Sequence, residues 1–233
     1  MPRADDAVEM LDRPAPLADL RESLADVARL NALFGGCRVT LTHVSRLLDG
    51  LPADRPITVL DVGTGAADIP RAIVRWARRA GRRIRVFALD RDLPTLRVAR
   101  GLAAGYPEIV LLGGDALALP VRAASVDVVI SALTLHHLEP AAAARALAEM
   151  DAAARRGLVV NDLVRSRTAY RAVWLATRLL ARNRMSRHDG PLSVRRAYVP
   201  DELRALCEKA GLFDARIFRY PLLFRQCAVR VKP

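Results

Sequence analysis

The stretch from residue 58 to residue 68 constrains the fold of this chain more than any other part of the sequence. A short apolar strand is predicted to end at Asp61, and a turn containing Gly63 and Gly65 follows it. Pro70 then stands in the first turn of a predicted helix. A strand that runs through a glycine-rich turn into a helix is typical of a nucleotide-like cofactor site at the helix N-terminus. We therefore expect an α/β fold built around such a site.

The residues beside the two glycines indicate which kind of cofactor this is. In a dinucleotide site a third glycine leaves room for the pyrophosphate, but the corresponding residue here is Asp68, an anion. Asp61 directly precedes the glycines, at a position where a carboxylate suits a bound ammonium group. The signs of these charges favour a cofactor with an amino-acid end over a dinucleotide.

With these residues the chain resembles the seven-stranded S-adenosylmethionine (SAM) methyltransferases. Their acidic-x-Gly-x-Gly signature is matched by residues 61–65, and its third small residue, often glycine, is Ala67 here. Three later segments follow in the order of the family. They are a strand ending in an acid at 85–90, Gly114-Asp115-Ala116 after a third apolar run, and a fourth strand at 126–131 followed by Leu135-His136-His137-Leu138.

The resemblance implies that the cofactor is SAM and assigns residues to it. Asp90 is expected to hold the ribose, because one carboxylate can accept hydrogen bonds from two vicinal hydroxyls. Asp115 is expected to bind the adenine amino group, with Ala116 leaving room beside the ring. Arg91 either stacks on adenine or faces solvent. The expected cofactor-binding residues are Asp61, Gly63, Thr64, Gly65, Asp68, Asp90, Arg91, Asp115, Ala116 and Ser131.

Strand and helix patterns alternate through the middle of the chain, which predicts a doubly wound parallel sheet. The predicted strands lie near 57–61, 84–89, 108–112, 126–131 and 157–162, and the helices near 69–80, 93–104 and 140–155. Two closing strands at 213–220 and 223–231 complete a Rossmann-like seven-stranded sheet with an antiparallel last strand, as the resemblance implies.

The remaining segments predict the domain organisation. Residues 1–14 are polar and expected to be poorly ordered, and helices near 17–34 and 39–50 form an N-terminal cap of residues 1–50. Residues 51–233 are the expected methyltransferase domain, in which residues 163–198 form a helical lid insertion between strands five and six. Within that insertion, a helix that includes residues 170–181 is predicted, followed by an arginine-rich loop at 182–196. A further helix is predicted after the insertion, from 200 to 210.

The histidines are the candidate bases. His136 stands beyond the fourth strand, where doubly wound sheets bind ligands, and a histidine there can take a proton from a phenol. A packing or cofactor-side role is an equal alternative for one of the two adjacent histidines. His188 beside Asp189 is the rival base, although Asp-Gly also favours a simple turn. The expected catalytic residues are His136 and His188.

The substrate side is predicted from position. Asp162 ends the fifth strand and either binds substrate or caps the next segment, and Tyr170 and Trp174 either pack in the core or form an apolar lid wall. The expected substrate-binding residues are Phe34, His137, Asp162, Tyr170 and Trp174.

Composition limits the partners. The formal charge is +12, but the arginines are spread along the chain with few aromatic residues between them, so solvated helix faces are favoured over nucleic-acid binding. The three cysteines have no metal-ligand spacing, so no metal is expected. With neither a membrane span nor a secretory signal in the pattern, a cytoplasmic location is expected.

Three functional hypotheses follow. Segments 30–36, 161–166 and 188–193 resemble a bacterial stand-alone branch of the family, which is associated with polyketide and phenolic-lipid pathways and related to quinone-biosynthesis methyltransferases. The first hypothesis is therefore methylation of a small phenolic, quinone or polyketide-derived acceptor, at oxygen with a histidine base or else at carbon. The second is an RNA methyltransferase, and the third is a non-catalytic SAM-binding regulatory or assembly subunit. The oligomeric state stays open.

Overall fold

A seven-stranded sheet forms the centre of the computed structural model, which describes residues 1–51 and 54–232. The strand order is β3-β2-β1-β4-β5-β7-β6. The strands are β1 (Ile57–Val62), β2 (Ile84–Asp90), β3 (Ile109–Gly113), β4 (Val126–Ala132), β5 (Ala154–Leu163), β6 (Arg216–Tyr220) and β7 (Arg225–Val231). The first five pair in parallel, and β7 runs antiparallel to both β5 and β6. The predicted sheet with an antiparallel last strand is thus confirmed.

Helices cover both faces of the sheet. They are α1 (Leu17–Leu33), α2 (Gly36–Leu48), α3 (Asp68–Arg79), α4 (Leu93–Leu102), α5 (Pro140–Ala153), α6 (Arg167–Leu180), α7 (Arg184–Arg196) and α8 (Pro200–Lys209). Helices α5 and α8 pack on one face and α2 and α3 on the other. Because both faces are covered, the central strands β1 and β4 are almost continuously apolar and buried, as parallel strands require. None of the helices in the described part of the chain is both long and apolar enough to cross a membrane.

The stretch predicted as an arginine-rich loop is helix α7 instead. Asn183 caps this helix by accepting a hydrogen bond from the backbone N–H of Met185 at 2.8 Å. Met185 is buried, and the Ser186 hydroxyl lies 3.1 Å from that of Ser23 on α1. The cap and the packing against α1 and α6 therefore outweigh the turn preference of Asp189-Gly190 and the presence of Pro191 inside the helix.

The N-terminal segment is also different from the prediction, because it packs against the body of the protein. Residues Met10–Asp12 form a 3-10 turn, and Glu9 is buried. The carboxylate of Asp189 on α7 accepts hydrogen bonds from the backbone N–H groups of Met10 and Leu11 at 2.8 and 2.9 Å. These charge-assisted bonds hold the segment across the carboxyl ends of the central strands.

Candidate functional site

A cleft of about 660 Å³ lies at the carboxyl ends of β1 and β2, bordered by α1 and the N-terminal segment. Its volume falls in the range of cofactor pockets. Gly63 and Gly65 line it with φ of +75° and +51°, a conformation that favours glycine. A Cβ atom at Gly63 would stand 2.3 Å from the Thr134 hydroxyl, so the turn admits no side chain there. The predicted strand–turn–helix is therefore present, with α3 starting at Asp68.

Two carboxylates mark the part of the cleft where an ammonium group is expected. Asp61 is fully buried, and burial raises the pKa of its carboxyl to about 7, with the nearby anions Asp68 and Asp90 adding to the rise. Asp68 accepts a hydrogen bond from the side-chain amide of Asn31 at 2.7 Å. A bound cation would favour ionised Asp61, so this end of the cleft suits a positively charged group.

A third carboxylate lies at the end of β2. Asp90 accepts hydrogen bonds from the backbone N–H groups of Gly65 and Asp92 at 2.9 and 3.1 Å, and burial raises its pKa. Each carboxylate oxygen has a further lone pair, so Asp90 can also accept from ligand hydroxyls. Asp115 and Ala116 line the same cleft. These positions fit the ribose and adenine roles expected from the sequence.

One expected cofactor residue, Ser131, lies outside the cleft lining, whereas Arg91 borders the cleft and faces solvent, which is one of its two expected positions. The hydroxyl of Ser131 is buried and donates to the carbonyl oxygen of Val62 at 2.8 Å, which links β4 to β1 away from the cleft lining. Arg91 borders the cleft, but its exposed guanidinium lies 3.6 Å from the carboxylate of Asp12 on the N-terminal segment. Ser131 thus has a structural role, and Arg91 pairs across the mouth of the cleft.

A second, mostly apolar cavity of about 150 Å³ adjoins the cofactor cleft. Its walls come from α1, α6, α7 and the turn before β7, and the predicted residue Phe34 is part of them. We call it the acceptor cavity. Five residues line both spaces: Leu11, Val27, Asn31, Leu133 and His137. A group bound in one space therefore faces the other.

His136 lies in the wall of the acceptor cavity and is held by Asp162. Its Nδ1 is 2.7 Å from one carboxylate oxygen of Asp162, and its backbone N–H donates to the other at 3.0 Å. Burial alone would raise the pKa of Asp162, but His136 and the N–H of Leu163 hold it below its ordinary value. An ionised Asp162 accepts the Nδ1 proton and leaves Nε2 of His136 as a proton acceptor.

A buried carboxylate that the sequence analysis missed faces both histidines. The carboxylate oxygens of Glu9 lie 3.6 Å from Nε2 of His136 and 3.9 Å from Nε2 of His137, whose Nδ1 is 2.9 Å from Asp12. Burial raises the pKa of Glu9 to about 7. Sequence pattern gave no sign of it, because Glu9 is 127 positions from His136 and lies outside every motif.

Glu9, His136 and His137 could also hold a divalent metal ion, since their three ligand atoms lie within 4.8 Å of one another. The buried guanidinium of Arg196 already lies 3.9 Å from Glu9 and donates to the carbonyl oxygens of both histidines. A cation is thus already present beside the cluster, which disfavours the binding of a second cation there.

A buried arginine without a carboxylate partner reaches the acceptor cavity. Among the described residues, the guanidinium of Arg225 has hydrogen bonds to the amide oxygens of Asn31 at 2.9 Å and Asn161 at 3.5 Å, and its Nε–H has no partner. Burial lowers its pKa, although it stays a strong base. Arg225 can therefore donate a hydrogen bond to an oxygen atom of a molecule in the cavity.

The other predicted residues lie outside the acceptor cavity. His188 is half exposed, pairs with Asp189 at 2.7 Å, and lines neither space, so this geometry does not support it as a base. Trp174 is on the outer face of α6, and Tyr170 is half-buried on the same helix without reaching either lining. The cavity side of α6 is formed by Ala172, Val173, Ala176 and Thr177 instead.

Comparisons with known proteins agree with this architecture. Residues 59–157 match the family model described as a methyltransferase domain. A malonyl-acyl-carrier-protein O-methyltransferase from Xylella fastidiosa is 40% identical over 98 residues, 40% of this chain and 32% of that protein. A 2-phytyl-1,4-naphthoquinone methyltransferase from Thermosynechococcus vestitus is 37% identical over 114 residues, 48% of this chain and 44% of that protein.

A solved structure gives the same result for the fold. The crystal structure of a SAM-dependent methyltransferase from Aquifex aeolicus is similar to 87% of this chain and 96% of its own, with a TM-score of 0.55 and 20% identity. The chain therefore has the fold of a seven-stranded SAM-dependent methyltransferase, and its residues 59–157 match a methyltransferase domain. It matches less than half of the length of either curated relative.

Proposed function

We propose that this protein transfers the methyl group of SAM to a hydroxyl oxygen of a small, largely apolar acceptor of the phenolic, quinone or polyketide-derived kind. The observation that carries this proposal is the His136–Asp162 pair in the wall of an apolar cavity that shares five lining residues with the cofactor cleft. The two curated relatives, a naphthoquinone methyltransferase and an O-methyltransferase, are compatible with it.

The residues of the cleft fit SAM. Asp61 and Asp68 suit its ammonium group, Asp90 suits its ribose hydroxyls, and Asp115 with Ala116 suits the adenine ring. When bound, SAM supplies a methyl group on a positively charged sulfur that a nucleophile can attack in line. The protein then has to bring the nucleophile to that methyl group and remove its proton.

His136 is proposed to remove that proton. With Nδ1–H donated to Asp162, Nε2 can accept the proton of an acceptor hydroxyl, and Asp162 stabilises the imidazolium that forms. Glu9 lies 3.6 Å from Nε2, and with a pKa near 7 it can exchange protons with the histidine pair at neutral pH. The Nε–H of Arg225 is proposed to orient a second oxygen of the acceptor in the same cavity.

Calorimetric titration with S-adenosylhomocysteine, followed by turnover on alkylresorcinols, hydroxyquinones and bulk tRNA, tests the proposal. Micromolar binding with methylation of a phenol supports it. Transfer to tRNA alone would favour the RNA hypothesis, and tight binding without any turnover would favour a non-catalytic subunit. Loss of activity with a chelator, restored by a divalent ion, would make Glu9, His136 and His137 metal ligands and exclude His136 as the base.

Variants then test the base. His136→Ala is expected to lower turnover on a phenol at neutral pH by about 100-fold or more with unchanged S-adenosylhomocysteine affinity, and the deficit is expected to shrink as pH nears the phenol pKa of about 10. His188→Ala is the matched control and should leave turnover unchanged. Asp162→Asn, which keeps a hydrogen-bonding side chain, should slow turnover as well. Full activity of both His136→Ala and Asp162→Asn would contradict the assignment.

A further inference from the structure

The outer face of α6 exposes large apolar side chains. Trp174, Leu175 and Leu179 are 44%, 52% and 73% exposed. The opposite face of the helix, formed by Ala172, Val173, Ala176 and Thr177, lines the acceptor cavity. The outer side chains do not reach the cavity, and a solvated surface gains little stability from their exposed parts.

The same region carries a one-sided charge. Residues 163–188 contain seven arginines and no aspartate or glutamate. Six of these arginines are exposed, and in the described chain none of the six is within ion-pair distance of a carboxylate: Arg167, Arg171, Arg178, Arg182, Arg184 and Arg187. The guanidinium of Arg178 lies over the ring of Trp174, 5.4 Å from its centre. Three of the six, Arg167, Arg171 and Arg178, are on α6 itself, where apolar and cationic side chains are interleaved, and the other three follow just before and within the start of α7.

We propose that the outer face of α6 docks on an anionic lipid bilayer surface, with Trp174, Leu175 and Leu179 in the headgroup–acyl boundary and the arginines on lipid phosphates. A helix with exposed tryptophan and leucine and a cationic polar face has the composition of an interfacial membrane helix. Long arginine side chains can bury their stems in the interface while the guanidinium stays with the phosphates.

The charge and the apolar side chains of this face favour a lipid bilayer over a second copy of the chain or a nucleic acid. A second copy of the chain, paired through the same face, would bring the six exposed arginines of the two α6 helices together and be repelled. A nucleic acid would satisfy the arginines, but it would leave the leucine side chains in water. An anionic bilayer, unlike these two, satisfies both the charge and the apolar surface of this face.

The location of this face matches the acceptor cavity. Phe34 lines that cavity and is 37% exposed, and the neighbouring Leu33 is 62% exposed, so an apolar rim adjoins the cavity where α1 ends. The guanidinium of Arg29 on α1 donates to the carbonyl oxygen of Leu180, which places the end of α1 beside the end of α6. Docking would bring this rim to the bilayer. That route for an apolar acceptor rests on the proposed function, whereas docking itself does not.

Co-sedimentation of the full chain with vesicles tests docking without any measurement of activity. The chain is expected to sediment with phosphatidylcholine vesicles that contain about 30 mol% phosphatidylglycerol and to be released by high salt, with weak or no binding to phosphatidylcholine alone. Arg171→Gln with Arg178→Gln should weaken binding about tenfold or more, whereas Arg97→Gln with Arg100→Gln, exposed on α4, should not.

The apolar contribution has its own test. Leu175→Ser with Leu179→Ser should also weaken binding, whereas Phe213→Ser, at a site 80% exposed beyond α8, should not. The chain has two tryptophans, so Trp76→Phe leaves Trp174 as the only reporter, and its emission should shift to the blue on anionic vesicles. Equal binding by α6 and control variants, or an unshifted Trp174 emission, would overturn the proposal, as would dimerisation through α6 or binding of RNA but not of vesicles.

Discussion

Two buried carboxylates set the chemistry of this site at the scale of single residues. Glu9 and Asp61 lie on opposite sides of the shared wall between cleft and cavity, and burial raises the pKa of each to about 7. Each therefore changes its charge near neutral pH, where an exposed carboxylate would be fully ionised. The folded protein binds these protons more tightly than the unfolded chain does.

Glu9→Gln is expected to change the pH dependence of stability. Because folding raises the pKa of Glu9 from 4.5 to about 7, its contribution is fully present below pH 4.5 and is lost as pH rises to 7, a difference of roughly 3 kcal/mol. The variant cannot lose this contribution and should be the more stable protein at pH 8, with little difference at pH 4.5. Urea unfolding across this range measures it. Glu208→Gln, an exposed control, should show the same pH dependence of stability as the wild type. If the stability of Glu9→Gln changed with pH in parallel with that of the wild type, the pKa assignment would be contradicted.

Asp90→Ala is expected to weaken S-adenosylhomocysteine binding by about 10- to 100-fold, because hydrogen bonds from two hydroxyls to a carboxylate are lost. The affinity of Asp90→Asn for S-adenosylhomocysteine should lie between those of Asp90→Ala and the wild type, since an amide oxygen still accepts a hydrogen bond. Calorimetry measures both affinities. Glu108→Gln is the control, because Glu108 directly precedes β3, at the end of that strand away from Asp90. Unchanged affinity in Asp90→Ala would remove the ribose assignment.

At the scale of elements, the N-terminal segment depends on α7 for its position. Asp189 accepts the N–H groups of Met10 and Leu11, and the segment then places Glu9 and Asp12 against the histidines. Asp189 thus fixes residues 10 and 11, while hydrogen bonds from Arg3, Ser193 and Arg196 further hold a segment that has little secondary structure of its own. The local stability of this segment should be much lower than that of the sheet.

Asp189→Ala is expected to release the segment without unfolding the protein. Amide exchange of Met10 and Leu11 should accelerate by about tenfold or more, because each loses a bond to a charged acceptor, while the exchange of β1 and β4 stays the same. Hydrogen-exchange mass spectrometry measures both regions. His188→Ala removes the other partner of Asp189 and is the control, for which the exchange of residues 9–12 should not change. Unaltered exchange in Asp189→Ala would mean that other contacts hold the segment.

At the scale of the whole molecule, the sequence predicted what depends on local periodicity. The strands and helices of the sheet, the glycine turn and the positions of Asp61, Asp90 and Asp115 follow from short segments, because each element repeats its own pattern. Helix α7 could not be predicted from its own segment, since its cap and its packing against α1 outweigh Gly190 and Pro191. The Glu9 cluster could not be predicted either, because tertiary packing alone brings residue 9 to residues 136 and 137.

The wall shared by the two cavities has a kinetic consequence. Leu11, Val27 and Asn31 border both spaces, so a molecule in the cofactor cleft packs against residues that also shape the acceptor cavity. Addition of the two substrates should therefore be ordered, with SAM first and S-adenosylhomocysteine leaving last. Product-inhibition patterns check this: S-adenosylhomocysteine should compete with SAM but not with the acceptor, and competition with both would indicate random addition. An ordered enzyme would bind its acceptor poorly in the absence of nucleoside, so acceptor screens should be run with S-adenosylhomocysteine present.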